Sequence, residues 1–448
     1  MPTRRMRLTG AAAAVTALAL GLAACSAPGG SRTEPSAPVE KITAPVTPEQ
    51  VAELGEVTLS VWADQGEQDF MDQLVPAYEA EFPNVTVDIQ FKSFNDLTAT
   101  VLNAMNSADA PDVAQGNQGW ATDGALVKAG LIRPLDDVAD AYDYRDAAGD
   151  AITQLQWSED GSAFGEGAVY GMSPDNQMVG LFSNREKLAA LGLGTPTTLD
   201  ELEAAFAAAK AAGQTPLVLG NADKASAMQT FSILQGALTP AADTREWITG
   251  AKGADFAVDS NGEALDRFAE WVAKGYVSAG YDGTSPDDAA AAFASGEGVF
   301  FIGGNWYAGA ISDGAAFDFT PGLSDGDYAS SGSFGMPWHV SSKSDATLAA
   351  IAFVGMVNSP ESAELLAGIH RVPIQPVEAA GDDAMFAALL DASATQLDGA
   401  GPLYWYGWAT DTMFDTFTGG LQEVLAGRES ADALLERVQS DWVDFHTD

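Results

Sequence analysis

Cysteine is almost absent from this sequence, and basic residues and histidine are scarce. The 448 residues include one cysteine and three histidines, and 21 lysines and arginines face 63 acidic residues, which gives a formal net charge of −42. A single cysteine cannot form an internal disulfide or a cysteine-ligated metal site, and no HExxH, GxSxG or Walker pattern is present. So acidic a surface repels nucleic acid and anionic lipid headgroups. We therefore expect no catalytic thiol, metal, cofactor or nucleic-acid partner.

The single cysteine, Cys25, ends an apolar N-terminal run. Three arginines and no acid precede this run, which covers residues 8–24. The layout is typical of a secretory signal, and the run is too short to favour a membrane span. Residues 22–25 (LAAC) resemble the bacterial lipoprotein cleavage box, which implies removal of residues 1–24 and lipid on Cys25. An ordinary signal with a chance cysteine is the alternative, and both the Sec and the twin-arginine export routes stay open.

Residues 25–55 are predicted to be a flexible tether. They are rich in Ser, Pro, Gly, Thr and Ala and have no apolar period, so the fold is expected to begin near Glu56. The chain beyond residue 24 is too long for one ordinary core, which predicts two domains.

Strand and helix patterns alternate along the rest of the chain. Strands are predicted at 56–62, 85–91 and 180–183, with helices at 68–82, 96–106, 198–212 and 431–445 among others. The alternation predicts parallel sheets covered by helices, with ligands bound at the carboxyl ends of the strands. Residues 259–262 (DSNG) and 325–327 (DGD) lack the full spacing of a calcium loop and are predicted to be turns.

Several longer segments then occur in a characteristic order. They are VW at 61–62, YEAEFPNVTV at 78–87, APDV at 110–113, LVKAGLIRPLD at 126–136, YGMS at 170–173, LFSNREKL at 181–188, AAFASGEGV at 291–299 and GNW at 304–306. Together they resemble the sugar-type extracellular solute-binding proteins, which are the receptors of ABC importers.

The resemblance implies an α/β fold of the two-lobe periplasmic-binding-protein type (type II). Each lobe is expected to be a mostly parallel sheet flanked by helices, and a multi-segment hinge is expected to join the lobes. By analogy the chain crosses between lobes near Asp175, Gly332 and Pro373. These crossings predict an N-lobe of residues 56–175 plus 332–373 and a C-lobe of residues 176–331 plus 374–448.

Residues 115–123 carry an unusual density of sugar-binding groups. A sugar presents an apolar face to aromatic rings and a rim of hydroxyls to amides and carboxylates. This segment holds three amides, one indole and one carboxylate directly after a predicted strand. By resemblance it contacts ligand, through Gln118, Trp120 and Asp123. The alternative is an ordinary polar turn with a packed Trp120.

Aromatic residues form the second group of candidates. Trp306 stands where the family has the indole of a Gly-Pro-Trp motif, although Asn305 here replaces the proline, so the resemblance implies stacking on a sugar; core packing is the alternative. In the aromatic segment 404–408, Trp408 aligns best with the stacking residue of the second lobe, and Trp405 is its rival. Trp62 is expected in the core.

The remaining candidates are two polar residues after the first strand, which are expected to hold hydroxyls, and two residues at each of two hinge crossings, of which the second is where backbone N–H groups approach the ligand. They are Asp64, Gln65, Asp175, Asn176, Gly332 and Ser333. For each of them, a structural role and a binding role are equally compatible with the sequence.

The sequence thus favours a monomeric, lipid-anchored receptor on the outer face of the cell membrane. It is expected to capture a carbohydrate, from the number of indoles a di- or oligosaccharide, and to deliver it to the permease subunits of an ABC importer without catalysis. The alternatives are a receptor for a non-sugar solute on the same scaffold, a secreted glycosidase using two carboxylates, and a surface adhesion or signalling protein.

Overall fold

A computed structural model of the chain describes residues 41–311, 316–323, 329–377 and 383–447. Cys25, the predicted signal, most of the predicted tether and the segment 325–327 lie outside the described residues. Within the described part, no helix is both long and apolar enough to cross a membrane.

Most strands of the described residues are short, and only three have eight residues or more. They are β1 Val57–Asp64, β2 Val85–Lys92, β3 Val113–Gln115, β4 Gln156–Trp157, β5 Ala168–Val169, β6 Asp175–Asn184, β7 Leu217–Val218, β8 Phe300–Gly304, β9 Phe317–Thr320, β10 Gly332–Phe334, β11 Trp338–Val340 and β12 Val372–Pro373.

The first sheet has the order β11-β3-β1-β2. Its central strand β1 runs parallel to β2 and to β3, and β11 joins β3 in the antiparallel sense. The carboxyl ends of β1 and β3 therefore meet at one edge of the sheet, which brings Asp64 beside Gln115.

The second sheet is organised around β6, in the order β10-β6-β8-β7 with β9 and β12 also paired to β6. All four partners of β6 run antiparallel to it, and β7 is parallel to β8. This sheet is mixed, whereas the sequence predicts a mostly parallel one. Part of the reason is that the chain leaves the first sheet along β6 and returns to it along β10, so these two neighbouring strands run in opposite directions.

The three segments predicted as crossings lie side by side in this second sheet. Asn176 on β6 pairs with Phe334 on β10 and with Val372 on β12. We use the name hinge strands for three segments together: the first residues of β6, the whole of β10 and the whole of β12. The lobe boundaries assigned from these crossings stay predictions.

Helices cover the sheets. They are α1 Pro48–Ala52, α2 Gln68–Glu81, α3 Phe94–Asn106, α4 Ala125–Lys128, α5 Asp136–Ala141, α6 Tyr144–Ala148, α7 Arg185–Ala190, α8 Leu199–Ala211, α9 Ala225–Leu238, α10 Ala241–Ile248, α11 Asp259–Ala273, α12 Pro286–Ala294, α13 Ala308–Ile311, α14 Thr347–Val357, α15 Pro360–Gly368, α16 Ala384–Asp398, α17 Met413–Leu425 and α18 Ala431–His446. Residues 259–262, predicted as a turn, form the first turn of α11; the polar run DSNG resembles a turn, but Asn261 and Gly262 are buried against the helix's neighbours.

The predicted tether is too long at its C-terminal end. Ile42, Val46 and Val51 are buried in the same core as Leu59 of β1. Thr47 forms a capping box with Gln50 that starts α1, and the backbone N–H of Val46 donates to the Tyr142 hydroxyl. The prolines and threonines of this segment resemble a linker, but its three apolar side chains are enough to fix it on the core.

Arg371, directly before β12, ties the hinge strands to the end of β1. Its guanidinium donates to both carboxylate oxygens of Glu67, at 2.7 and 3.0 Å, and to Asp175 Oδ2 at 3.0 Å. All three side chains are nearly inaccessible. Burial opposes the charge on Arg371, but the two carboxylates raise its pKa above the usual range, so the guanidinium stays charged. Burial in turn raises the pKa of Asp175, and its Oδ1 lacks a hydrogen-bond partner in the described structure.

Removing residues 1–55 should destabilise the protein much more than removing residues 1–40. The longer deletion takes away Ile42, Val46 and Val51, and a buried aliphatic side chain contributes about 1.5–3 kcal/mol. Thermal unfolding of the two truncated forms measures the difference. Equal melting temperatures would mean that the segment does not stabilise the core.

Replacing Arg371 with methionine should lower the free energy of unfolding by about 3–5 kcal/mol, because two buried carboxylates lose their cation. Urea unfolding measures the loss. Arg428→Met is the matched control, since Arg428 forms an exposed ion pair with Glu423 and should change stability little. Equal effects of the two substitutions would contradict a stabilising role for the hinge ion pairs.

Candidate functional site

Polar side chains link the carboxyl ends of β1 and β3. Gln115 Oε1 accepts the backbone N–H of Asp64 at 2.8 Å, and Gln115 Nε2 donates to the Met336 carbonyl at 3.3 Å. Asp64 is half-buried and its Oδ1 accepts the N–H of Gly66 at 2.8 Å, while Gln65 is exposed. Burial, with the charge of Glu67, raises the pKa of Asp64 despite that hydrogen bond. Of the two candidates, Gln65 has its side chain open to solvent and Asp64 is partly accessible.

The Gln118 side chain is hydrogen-bonded to the end of β10. Its side chain is buried, and its amide N–H groups donate to the carbonyls of Phe334 at 3.0 Å and Gly335 at 3.1 Å. In this arrangement the amide ties the loop after β3 to β10 and is not turned to solvent.

Asp123 is buried at the other end of the same loop. Its Oδ1 accepts the backbone N–H of Asn117 at 2.9 Å and lies 3.1 Å from Nε2 of His339 on β11. Nδ1 of His339 lies 2.8 Å from the Tyr170 carbonyl. Asp123 therefore holds the loop in shape and connects it to β11.

Trp120 lies in an aromatic cluster. Its ring meets those of Trp157, His446 and Phe445 edge to face, at centroid distances of 5.0, 5.1 and 5.7 Å. Its indole N–H donates to the Ile248 carbonyl at 3.3 Å. Trp120 is therefore packed against other side chains, which is the alternative to stacking on a ligand. Its contacts connect the loop after β3 with α10 and α18.

Trp408 is buried, whereas Trp120 is half-buried, and Trp408 touches the loop after β3 directly. Its indole N–H donates to Asn117 Oδ1 at 3.1 Å. Gly119 has φ +96°, and a Cβ at that position would lie 2.4 Å from the Trp408 Cβ. The segments 115–123 and 404–408, which the sequence marks separately, thus form one close contact that needs glycine at 119.

Trp306 and Trp405 form the accessible aromatic part of the site. Trp306 follows β8 and is 37 % exposed, and its ring centroid lies 6.1 Å from that of the half-buried Trp405. The Trp405 indole N–H donates to Ser333 Oγ at 2.7 Å, which fixes the ring against β10. We call Trp306 and Trp405 the aromatic pair. A partly solvent-facing indole pair is suited to contact the apolar face of a ligand.

The remaining hinge candidates are occupied by contacts within the protein. Asn176 Nδ2 donates to Ser393 Oγ at 3.0 Å, and Asp175 is paired with Arg371. Ser333 Oγ donates to the Phe334 carbonyl at 2.6 Å as well as accepting from Trp405. Gly332 pairs with Met178, and a Cβ there would lie 2.8 Å from the Gln177 carbonyl. These residues build the hinge strands against which the aromatic pair is set.

Sequence reasoning missed four residues that organise the site: Glu67, Asn117, His339 and Arg371. Asn117 lay inside the marked segment, but nothing in the sequence distinguished it from its neighbours. His339 and Arg371 each lie near a predicted crossing, which is the signal that could have drawn attention to them. Trp62, expected in the core, is half-buried and packs against its edge, and Lys92 Nζ lies 3.8 Å from the centroid of its ring.

A separate groove of about 640 Å³ lies among α8, α11 and α18. Carboxylates line most of it, together with Arg267, and none of the predicted ligand residues takes part. Among the described residues, no group of three or more His, Cys, Asp and Glu side chains is arranged to hold a metal ion.

Solved structures with this architecture include sugar-binding receptors. A chitin oligosaccharide binding protein superposes with a TM-score of 0.76 at 20 % identity, over 88 % of this chain and all of the other. The GacH receptor of Streptomyces glaucescens, described unliganded and in complex with acarbose, superposes with a TM-score of 0.69 at 20 % identity, over 88 % of this chain and 99 % of its own. These likenesses confirm the two-lobe α/β fold.

Among curated proteins, an uncharacterised ABC transporter extracellular-binding protein of Pyrococcus horikoshii is 23 % identical over 300 residues, which are 65 % of this chain and 63 % of that protein. The chain thus matches under two thirds of that relative's length. These proteins are binding proteins or receptors by description, and none is described as a glycosidase.

Residues 73–414 match the bacterial extracellular solute-binding protein family. The match begins within α2 and includes β2 to β12, with the hinge strands and both segments of the site, and it spans well over half of the chain. It agrees with the resemblance drawn from the ordered sequence segments. The chain belongs to the bacterial extracellular solute-binding protein family.

Proposed function

We propose that this protein captures a carbohydrate between two lobes and delivers it to an ABC-type sugar importer. The observation that carries the proposal is the aromatic pair, Trp306 and Trp405, set at the junction of β8, β10 and the 404–408 segment. The lobes are those given by the hinge crossings, residues 56–175 plus 332–373 and residues 176–331 plus 374–448.

The aromatic pair fits the apolar C–H face of a pyranose ring. Two indoles 6.1 Å apart with planes inclined by 49° offer two ring surfaces at different angles, which suits more than one sugar unit. Gln65 and the accessible part of Asp64 are available to the hydroxyl rim, since a carboxylate accepts and an amide both donates and accepts.

The charges near the strand ends favour an uncharged ligand. Arg371 is neutralised by Glu67 and Asp175, and Lys92 is stacked on Trp62. Asp64 adds a further carboxylate beside them, and the whole chain carries a formal charge of −42. A phosphorylated or carboxylated solute would meet repulsion here, whereas a neutral sugar would not.

Closure of the lobes accounts for capture. Trp408 and Asn117, and Trp120 with the Ile248 carbonyl, connect segments assigned to different lobes. A ligand that contacts the aromatic pair and the loop after β3 together stabilises the arrangement in which these connections exist, so binding shifts the population toward closure. The closed form then offers a defined surface to the importer.

The relatives and the N-terminal sequence support the setting. The Pyrococcus relative is described as an ABC transporter extracellular-binding protein, and the two solved receptors are described with chitin oligosaccharide and acarbose. Lipid on Cys25 would hold the receptor at the outer face of the membrane, close to the permease, as a monomer on a tether.

Substituting alanine for Trp306 or Trp405 should weaken sugar binding roughly 10- to 100-fold, because each variant loses one ring that the bound sugar would cover. Calorimetric titration with mono-, di- and oligosaccharides measures the affinity, and chromatography of the recovered ligand checks that it is returned intact. Leu54→Ala is the control, since Leu54 is 38 % exposed and lies outside the site. Unchanged affinity in both tryptophan variants, or a cleaved sugar, would refute the proposal.

Gly119→Ala should weaken binding roughly tenfold or more by keeping the loop after β3 from meeting Trp408. Gly296→Ala is the matched control: its φ is +97°, and a Cβ there meets nothing within 4 Å. Comparing the two separates the clash from the cost of the backbone conformation. Affinity lost equally in both variants would show that the loop contact has no part in binding.

A further inference from the structure

His339 is a buried ionisable residue to which the proposed function assigns no part. It lies on β11, directly after the second hinge crossing, and is 1 % exposed. Both ring nitrogens face oxygen atoms: Nδ1 faces the Tyr170 carbonyl at 2.8 Å, and Nε2 faces Asp123 Oδ1 at 3.1 Å.

The partners determine where the protons are. A carbonyl oxygen can only accept, so Nδ1 carries a proton. Nε2 faces Asp123 Oδ1, which also accepts the N–H of Asn117, so a second proton on Nε2 would donate to that same oxygen. Burial disfavours the cation, but the Asp123 charge and the two hydrogen bonds outweigh it and raise the pKa of His339 above its usual range.

Few other ionisable groups lie close enough to His339 to affect its protonation. β3 and α14, which pack on β11, contain no ionisable side chain. The Tyr170 phenol belongs to the segment that supplies the carbonyl, and burial raises its pKa. Asp112, before β3, is occupied by the Ser60 N–H and the Ser344 hydroxyl, and Arg133 is paired with Asp137. Asp123 is therefore the charge to which His339 responds.

The imidazole cannot move away from Asp123. A Cβ at Gly116 would lie 2.4 Å from its Nε2, and a Cβ at Gly171 would lie 2.8 Å from its Cε1, so backbone closes on the ring from two sides. Packing thus holds the ring in place, so repulsion at Nε2 would move Asp123 and not the imidazole.

From Asp123 the hydrogen bonds continue to the opposite loop. Asp123 Oδ1 accepts from the Asn117 backbone, and Asn117 Oδ1 accepts from the Trp408 indole at 3.1 Å. Four residues on three chain segments, His339, Asp123, Asn117 and Trp408, form one connected series, which we call the relay.

We propose that His339 is a positioning residue for ligand capture: its second proton holds Asp123, and through Asp123 and Asn117 it sets the loop that receives Trp408. This inference rests on the proposed function, because the loop contact is the one that closes over the ligand. When Nε2 loses its proton, its lone pair faces the Asp123 carboxylate across 3.1 Å. The two acceptors repel, and Asp123 and the Asn117 backbone are displaced from Trp408.

The direction of the pH effect follows. A group whose pKa is raised in the folded state stabilises that state below its unfolded pKa of about 6.5, and the stabilisation is lost as pH rises through the folded value. Sugar affinity should thus be highest at low pH and fall, roughly tenfold or more, as His339 deprotonates. By linkage, sugar binding should raise the pKa of His339 by the matching factor.

The test uses the full chain with its own three histidines, whose ring nitrogens are followed by ¹⁵N NMR from pH 5 to 9. The expected result is that His339 has two protonated nitrogens at pH 7 and that the Trp408 indole N–H signal shifts together with its titration. A neutral His339 at pH 7, or a Trp408 signal indifferent to that titration, overturns the proposal. This arm needs no ligand, so it gives a result even if no sugar binds.

Asp123→Asn is the matching variant. An asparagine keeps an Oδ1 that can accept from Asn117 but carries no charge to favour a second proton on Nε2, so affinity in this variant should no longer depend on pH between 5 and 9. Asp383→Asn is the control, since Asp383 Oδ2 lies 2.7 Å from His370 Nε2 in an accessible position. In this control, sugar affinity should depend on pH as it does in the unaltered protein. A pH profile that persists in Asp123→Asn contradicts the relay, whereas absence of sugar binding at every pH in the unaltered protein contradicts only the proposed function.

Discussion

Arg371 is the interaction on which the arrangement of the site depends. One buried guanidinium joins the turn after β1, through Glu67, to the first residue of β6, through Asp175, at the point where the hinge strands lie together. A buried ion pair of this kind adds little net stability over apolar packing, but leaving its partners uncompensated is costly, so it strongly disfavours other arrangements of these strands. With the hinge strands fixed, Ser333 can hold Trp405, and Gln118 can hold the loop after β3.

The site that results has two different parts. One part is closed: Trp120 and Trp408 are packed, and their indole N–H groups are bound to Ile248 and Asn117. The other part is open: Trp306 is exposed beside the half-buried Trp405, which is bonded to Ser333 of β10. We infer that the closed part holds the lobes together and the open part holds the ligand. Tryptophan thus occurs in two settings in one site, and the contacts of each ring, not its residue type, distinguish them.

Much of the fold could be predicted from the sequence, because strong periodic patterns are local. β1, α2 and β2 lie within two residues of their predicted bounds. β6 was predicted only as 180–183 and extends from 175 to 184, because its first residues, Asp175, Asn176 and Gln177, are polar and carry no strand pattern. The segment at 42–52 and the start of α11 were misread for the same reason: their composition is that of linkers and turns, and contacts far along the chain fix their conformation.

The site could be predicted in its residue types but not in its partners. The aromatic and amide-rich segments were recognisable, whereas the contacts that give each side chain its role join residues 291 positions apart for Trp408 with Asn117 and 304 apart for Arg371 with Glu67. A crystal structure of the protein with a bound oligosaccharide tests the central claim most directly. The account predicts a pyranose ring against Trp306 or Trp405 with Trp408 still bonded to Asn117. A sugar bound elsewhere, such as in the carboxylate-lined groove around Arg267, would contradict it.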